Sequence, residues 1–169
     1  MFNHIKQDLK NYQGDWAAQG FWVMLVYRFG RWRYTIENVL IRKICSFIYK
    51  FLYKLVQILT GIEMPCEAEV GDNFLIDRFG GIVISGYAKF GDNCRLRNGV
   101  VVGLKNVAEP CAPQIGNNVD IGAGAKILGN IKIGNNVNIG ANSVVLTDVP
   151  DNAIAVGVPA VIKMKKMKS

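Results

Sequence analysis

The sequence predicts a mainly β protein: a parallel β-helix of hexapeptide repeats behind an N-terminal α-helical segment. Three observations carry this reading. Isoleucine stands at 115, 121, 127, 133 and 139 and Val145 follows, a six-residue period through "IGNNVDIGAGAKILGNIKIGNNVNIGANSV". An amphipathic helix repeats every ~3.6 residues and an alternating strand every ~2, so neither produces it. Gly and Asn follow the aliphatics, and both tolerate the left-handed backbone angles that tight corners need. Residues 1–61 lack the period and instead place apolar residues at helical steps.

In such a fold each hexad forms one flat side, three sides close a triangular coil, and coils stack about 4.8 Å apart. The "GNN" runs at 116–118 and 134–136 are turn chemistry. Backward, the period continues through Val70, Ile76 and Ile82, slips by two residues to Ile84, and resumes at Phe90, Leu96 and Val102. Thirteen residues separate Val102 from Ile115, so "LKNVAEPCAPQ" (104–114) leaves the coil. Such an excursion either lines a binding cleft or is a plain surface loop.

In the front end, Asp15 of "DWAAQGFWVMLVYRFGRWRY" is a suitable N-cap for a helix through Tyr27, ahead of Arg28, Arg31 and Arg33. A second helix covers about residues 38–60, with Leu40, Ile44, Phe47, Phe51, Leu55 and Ile58 on one face and Lys43, Lys50 and Lys54 on another. Neither spans a bilayer, because lysines interrupt one and "FWVMLVY" falls short of the ~20 residues required. The apolar face packs on the protein or on another subunit, or it makes peripheral contact with a membrane surface.

Charge divides the same way. Residues 1–61 hold nine Lys/Arg against three acids, residues 62–162 seven against ten, and residues 163–169 four lysines. The expected units are therefore a helical segment (1–61), a β-helix domain (62–162) and a basic tail (163–169). Basic ends suit nucleic acid, an anionic membrane, a phosphorylated ligand or solubility alone. Nucleic acid is set aside, since the aromatics sit in apolar helical runs and no nucleic-acid motif appears. Cys45, Cys66, Cys94 and Cys111 are too widely spaced for a C-x-x-C pattern, and no signal peptide precedes them, so a reduced, cytoplasmic chain without structural zinc is expected. His4 is the single histidine.

The hexads and the close "SVVLTDVPDNAIAVGVPAVI" resemble the hexapeptide-repeat acyltransferases, whose β-helix is left-handed. Within them "GDNFLIDRFGGIVISG", "IGAGAKILGNIKIG" and "GVPA" look like the serine O-acetyltransferase branch, over roughly residues 62–162. The short front and the loop without a Gly-rich segment look more like capsule and exopolysaccharide O-acetyltransferases. The resemblance implies a homotrimer with acetyl-CoA as co-substrate in clefts between neighbouring β-helices, and no metal. It implies direct transfer to a hydroxyl of a sugar or polysaccharide precursor, with L-serine as the alternative acceptor. By motif match Ala123 and Ala141 fall at contacts with the pantetheine, and Gly103 lies where the loop leaves the wall. Alternatively these small residues only fit tight corners.

In the serine enzymes the segment matching "IDRFGG" carries an Asp followed by the catalytic His, which an upstream acid orients. Here Asp77 keeps the acid, Glu63 falls at the orienting position, and Arg78 replaces the histidine; a second family histidine matches Ala112. A general base works best with a pKa near ambient pH, whereas a guanidinium stays charged to about pH 12. Several readings stay open: Asp77 or Glu63 as base; transfer dominated by positioning and by oxyanion stabilisation from Arg78; or an inactive trimer that binds acyl-CoA, a membrane or a partner. A purely structural role is also open, because one coil plus the slip sets Asp77 above Arg97 and Arg78 above Asn98, as in an ionic ladder. Cys111 is disfavoured as an acyl carrier, since no base is visible beside it.

Overall fold

The computed structural model describes residues 2–78, 80–106, 108 and 110–165, with backbone alone for residues 2 and 3. Short strands, numbered in chain order, stack into three walls of a left-handed parallel β-helix. The first wall holds β1 (Ile62–Glu63), β4 (Ile82–Ile84), β7 (Val101–Gly103), β10 (Lys126–Leu128) and β13 (Val144–Val145). The second holds β2 (Glu69–Val70), β5 (Lys89–Phe90), β8 (Gln114–Ile115) and β11 (Lys132–Ile133). The third holds β3 (Leu75–Ile76), β6 (Arg95–Leu96), β9 (Asp120–Ile121), β12 (Asn138–Ile139) and β14 (Ala153–Val156), with β15 (Val161–Met164) added antiparallel.

Each hexad points two residues inward: the repeat aliphatic and the residue two positions before it. Phe74 with Ile76, Cys94 with Leu96, Val119 with Ile121 and Ala125 with Ile127 are all buried. Cys94 is thus a core residue, and burial pushes its thiol up to about 11. This second inward position corrects the place of the slip. Ile82 and Ile84 share one strand and are both buried, Ile84 being the repeat aliphatic. Leu75–Ile76 pair with Arg95–Leu96, a step of twenty, whereas Val83–Ile84 pair with Val101–Val102, a step of eighteen. Gly80 O accepts from Gly99 N at 2.9 Å, which sets Gly80 against Asn98. The slip therefore falls between Asp77 and Gly80, and Arg78 stands in a bulge rather than above Asn98.

The corner between the second and third walls is built by asparagine. Asn73, Asn93, Asn118, Asn136 and Asn152 all adopt left-handed angles, and the Nδ2 of each of the first four donates to the Oδ1 of the next at 2.9–3.1 Å. At the corner between the third and first walls, a Cβ on Gly122 would lie 2.5 Å from Ala141 N, so coil stacking itself demands that glycine.

Three helices cover the first coil: α1 (Phe2–Asn11), α2 (Gln19–Trp32) and α3 (Val39–Thr60). The predicted start at Asp15 is corrected: its carboxylate accepts from Ala17 N at 2.9 Å and closes a turn, and the helix begins at Gln19. Helix α3 opens on Asn38, whose Oδ1 accepts from Leu40 N at 2.9 Å and Ile41 N at 3.2 Å. It ends at Gly61, in the left-handed region.

A strand edge left open carries unpaired backbone groups. Three tyrosines satisfy them on the first coil. Tyr12 OH accepts from Ile76 N at 3.0 Å, Tyr27 OH donates to Ala68 O at 2.9 Å, and Tyr49 OH accepts from Cys66 N at 3.0 Å. Burial raises the pKa of all three hydroxyls. Buried Asp8 ties α1 to α2 through a fork from Arg28, with Nε to Oδ2 at 3.1 Å. Buried Arg33 lies over the rings of Tyr34 and Tyr49. Among the described residues no helix is long and apolar enough to cross a membrane.

Candidate functional site

Where the chain leaves β7 for the loop 104–113, the first wall carries a cleft of about 420 Å³. Glu63, Val83, Ser85, Gly103, Leu104 and Leu128 belong to its lining. They come from strands adjacent in the stack, because β1, β4, β7 and β10 pair in that order. At the start of the loop Lys105 stacks on the next coil, for a Cβ on Gly129 would lie 3.3 Å from Lys105 Cβ. A Cβ on Gly103 would meet nothing nearer than Ser85 Cβ at 3.9 Å, an ordinary contact. Packing alone does not demand that glycine, and its bareness leaves room in the cleft.

Glu63 is exposed on β1, directly after α3. Its Oε2 accepts from Gln57 Nε2 at 3.1 Å, and Gln57 Oε1 accepts from Lys54 Nζ at 3.1 Å. A short chain of hydrogen bonds on the last turns of α3 thus orients the carboxylate. Glu63 is the one acidic or basic side chain among the described residues lining this cleft.

Asp77 follows β3 on the outer face of the third wall, where it accepts a fork from Arg95, with Nη2 to Oδ1 at 2.9 Å and Nε to Oδ2 shorter still. Arg97, opposite Asp77 in register, is 3.9 Å away and makes its own fork to Asp120. Two acids and two bases thus pair diagonally between neighbouring coils. Both oxygens of Asp77 are engaged. Arg78 is exposed in the bulge at the corner between the third and first walls, and forms no hydrogen bond or ion pair with any described residue.

Ala123 and Ala141 occupy that same corner in successive coils, with Asn142 N donating to Ala123 O at 2.8 Å. Ala112, at the second histidine position, is buried at the end of the loop, and Cys111 beside it is half-buried. Glu63 and Gly103 therefore share one cleft, Asp77 sits in an ion cluster on another wall, and Arg78, Ala123 and Ala141 line the intervening corner. Sequence reasoning did not single out Gln57 or Arg95. Gln57 is six residues before Glu63, across a helix end, and Arg95 is reached only by applying the coil step of twenty to Leu75.

The model of the bacterial transferase hexapeptide family (six repeats) matches residues 112–147. A serine acetyltransferase of Synechococcus elongatus is 40% identical over 141 residues, 83% of this chain and 55% of the relative, so the chain spans little more than half of that protein's length. The putative colanic acid biosynthesis acetyltransferase WcaB of Escherichia coli is 36% identical over 157 residues, 90% of this chain and 95% of the relative. The crystal structure of serine acetyltransferase from Brucella abortus in complex with coenzyme A superposes with a TM-score of 0.82 at 28% identity, over 99% of this chain and 69% of that one. With its six-residue coils and a relative matched over nearly its full length at 36% identity, the chain belongs to the hexapeptide-repeat acetyltransferase family that includes the serine acetyltransferases and WcaB.

Proposed function

We propose that this protein transfers an acetyl group from acetyl-CoA to a hydroxyl of a sugar or polysaccharide precursor, working as a homotrimer. The observation that carries the reading is the cleft on the first wall, where Glu63 is the one charged side chain among the described residues and Gly103 leaves open space. The near full-length match to the putative colanic acid acetyltransferase supports a saccharide acceptor, and the coenzyme A in the Brucella relative supports the co-substrate. Acetyl-CoA runs past Gly103 and along the corner of Ala123 and Ala141, where small side chains permit close approach.

In the transfer, the acceptor oxygen attacks the thioester carbonyl carbon; a C–O bond forms, the C–S bond breaks, and coenzyme A leaves as the thiolate, which then takes up a proton. Glu63 takes the hydroxyl proton as the attack proceeds, held in place by Gln57. Arg78, without a partner among the described residues and always charged, donates hydrogen bonds to the acceptor or to the developing oxyanion. Asp77, engaged by Arg95, is structural.

The test is thiol release from acetyl-CoA with a saccharide panel and with L-serine, for the protein and its Glu63→Gln and Arg78→His variants. Turnover with a saccharide is expected, and loss of the base lowers kcat by about 10²–10⁴ in Glu63→Gln. Turnover with L-serine alone would make this a serine acetyltransferase. Acetyl-CoA binding without thiol release in any variant would point to a binding protein, a reading favoured by Arg78 and Ala112 at the two histidine positions.

A further inference from the structure

Helix α3 buries one narrow face and leaves a wide apolar one uncovered. Tyr49 and Thr60 are buried, and Leu52, Tyr53 and Val56 pack against the core. Leu40, Ile44, Phe47, Phe51, Leu55 and Ile58 are 42–77% exposed. At about 3.6 residues per turn these six fall in one continuous sector, a stripe running the ~33 Å of a helix this long. Isolated exposed apolar residues are ordinary, but a contiguous patch of this size marks an interaction surface.

The two borders of the stripe identify what covers it. Along one edge run Lys43, Lys50 and Lys54, all exposed, and Val39–Thr60 contains no acid. Along the other edge the apolar surface continues into a groove of about 550 Å³ between α2 and α3, whose lining includes Trp22, Leu25, Phe29, Leu52 and Leu59. An apolar sector edged by lysines, with an exposed tryptophan at its margin, fits the boundary between lipid headgroups and acyl chains, where lysine stems lie along the apolar phase and their charges reach the phosphates. A symmetric pairing of α3 with α3 of a second copy would instead bring two acid-free basic helices together.

We propose that α3 lies flat on an anionic lipid surface and holds the protein at the membrane periphery, with the groove beside it receiving acyl-chain carbon. The inference stands on α3 and α2 alone and is independent of the acetyl-transfer reading.

Flotation of the full chain with equimolar phosphatidylglycerol/phosphatidylcholine vesicles, and with phosphatidylcholine alone, tests it at low and high salt. Binding to the anionic vesicles is expected, weakened about tenfold or more by high salt and by the absence of phosphatidylglycerol. Phe47→Ser/Phe51→Ser and Lys43→Glu/Lys50→Glu/Lys54→Glu each abolish it, with circular dichroism unchanged because all five side chains are exposed. No binding to anionic vesicles overturns the proposal, as does binding that both variants retain. A lipid-free oligomer whose mass falls in Phe47→Ser/Phe51→Ser also overturns it, by assigning the stripe to a second copy.

Discussion

Replacing Asp77 by asparagine separates a structural role from a catalytic one, because size and shape are kept while the charge is lost. The four-charge cluster of Asp77, Arg95, Arg97 and Asp120 sums to zero; the variant leaves it with an excess positive charge and removes the charge from the fork to Arg95. Asp77 retains 19% of its side-chain exposure and Arg95 49%, so water screens the pair and its strength is that of a surface ion pair, ~0.2–1 kcal/mol. For a chain of 169 residues this corresponds to a melting shift of at most about 2–4 °C. If the residue is structural, kcat changes by less than about tenfold, whereas loss of a general base costs ~10²–10⁴. Thermal denaturation and thiol release on the same preparation give both numbers. A kcat loss of about a hundredfold or more at unchanged melting temperature would refute the structural assignment and return the base to Asp77.

Gly103→Val adds its branches to open cleft space, since a Cβ there meets only Ser85 at 3.9 Å. Its melting temperature should stay within about 2 °C of the parent while the KM for acetyl-CoA rises about tenfold or more, read in the thiol-release assay. Alkali should weaken the fold through Tyr12, Tyr27 and Tyr49, whose folded pKa values lie above the ordinary 10.0. The unfolded chain loses those protons first, so stability is full below about pH 10 and declines as pH rises beyond it. Urea midpoints between about pH 8 and 11 should follow this course, and Tyr27→Phe should flatten the decline.

The regular half of the fold is legible because every inward aliphatic from Ile115 to Val145 recurs at a fixed step, with corner residues between. The upper coils are harder to read, since Ile82 and Ile84 both point inward and sequence alone does not say which is the repeat residue; only strand pairing assigns the slip to the stretch between Asp77 and Gly80. Helix α1 is short and its apolar spacing rests on Phe2, Ile5 and Leu9 alone, while what it buries is Asp8, whose partner Arg28 lies twenty residues away. The Lys43, Lys50 and Lys54 face was visible in α3, but whether the adjoining apolar stripe faced protein or solvent was not. Within the candidate site, Glu63 and Asp77 were named together because the family resemblance places both at acid positions of one catalytic site. Their separation follows from partners, Gln57 and Arg95, that chain distance conceals.

A coil that repeats the same rung presents, at either end, an invitation to further rungs, and identical molecules could add tip to tip into an open filament. The tyrosines contributed by the helical front occupy hydrogen-bonding positions on the first coil that an incoming rung would use. At the far end β15 runs opposite to every other strand of its wall and carries Lys163, so a further parallel rung finds neither the right direction nor a neutral rim there. Both features disfavour a further rung and leave the flanks, where the cleft and the small-residue corner lie, as the surfaces open to other contacts.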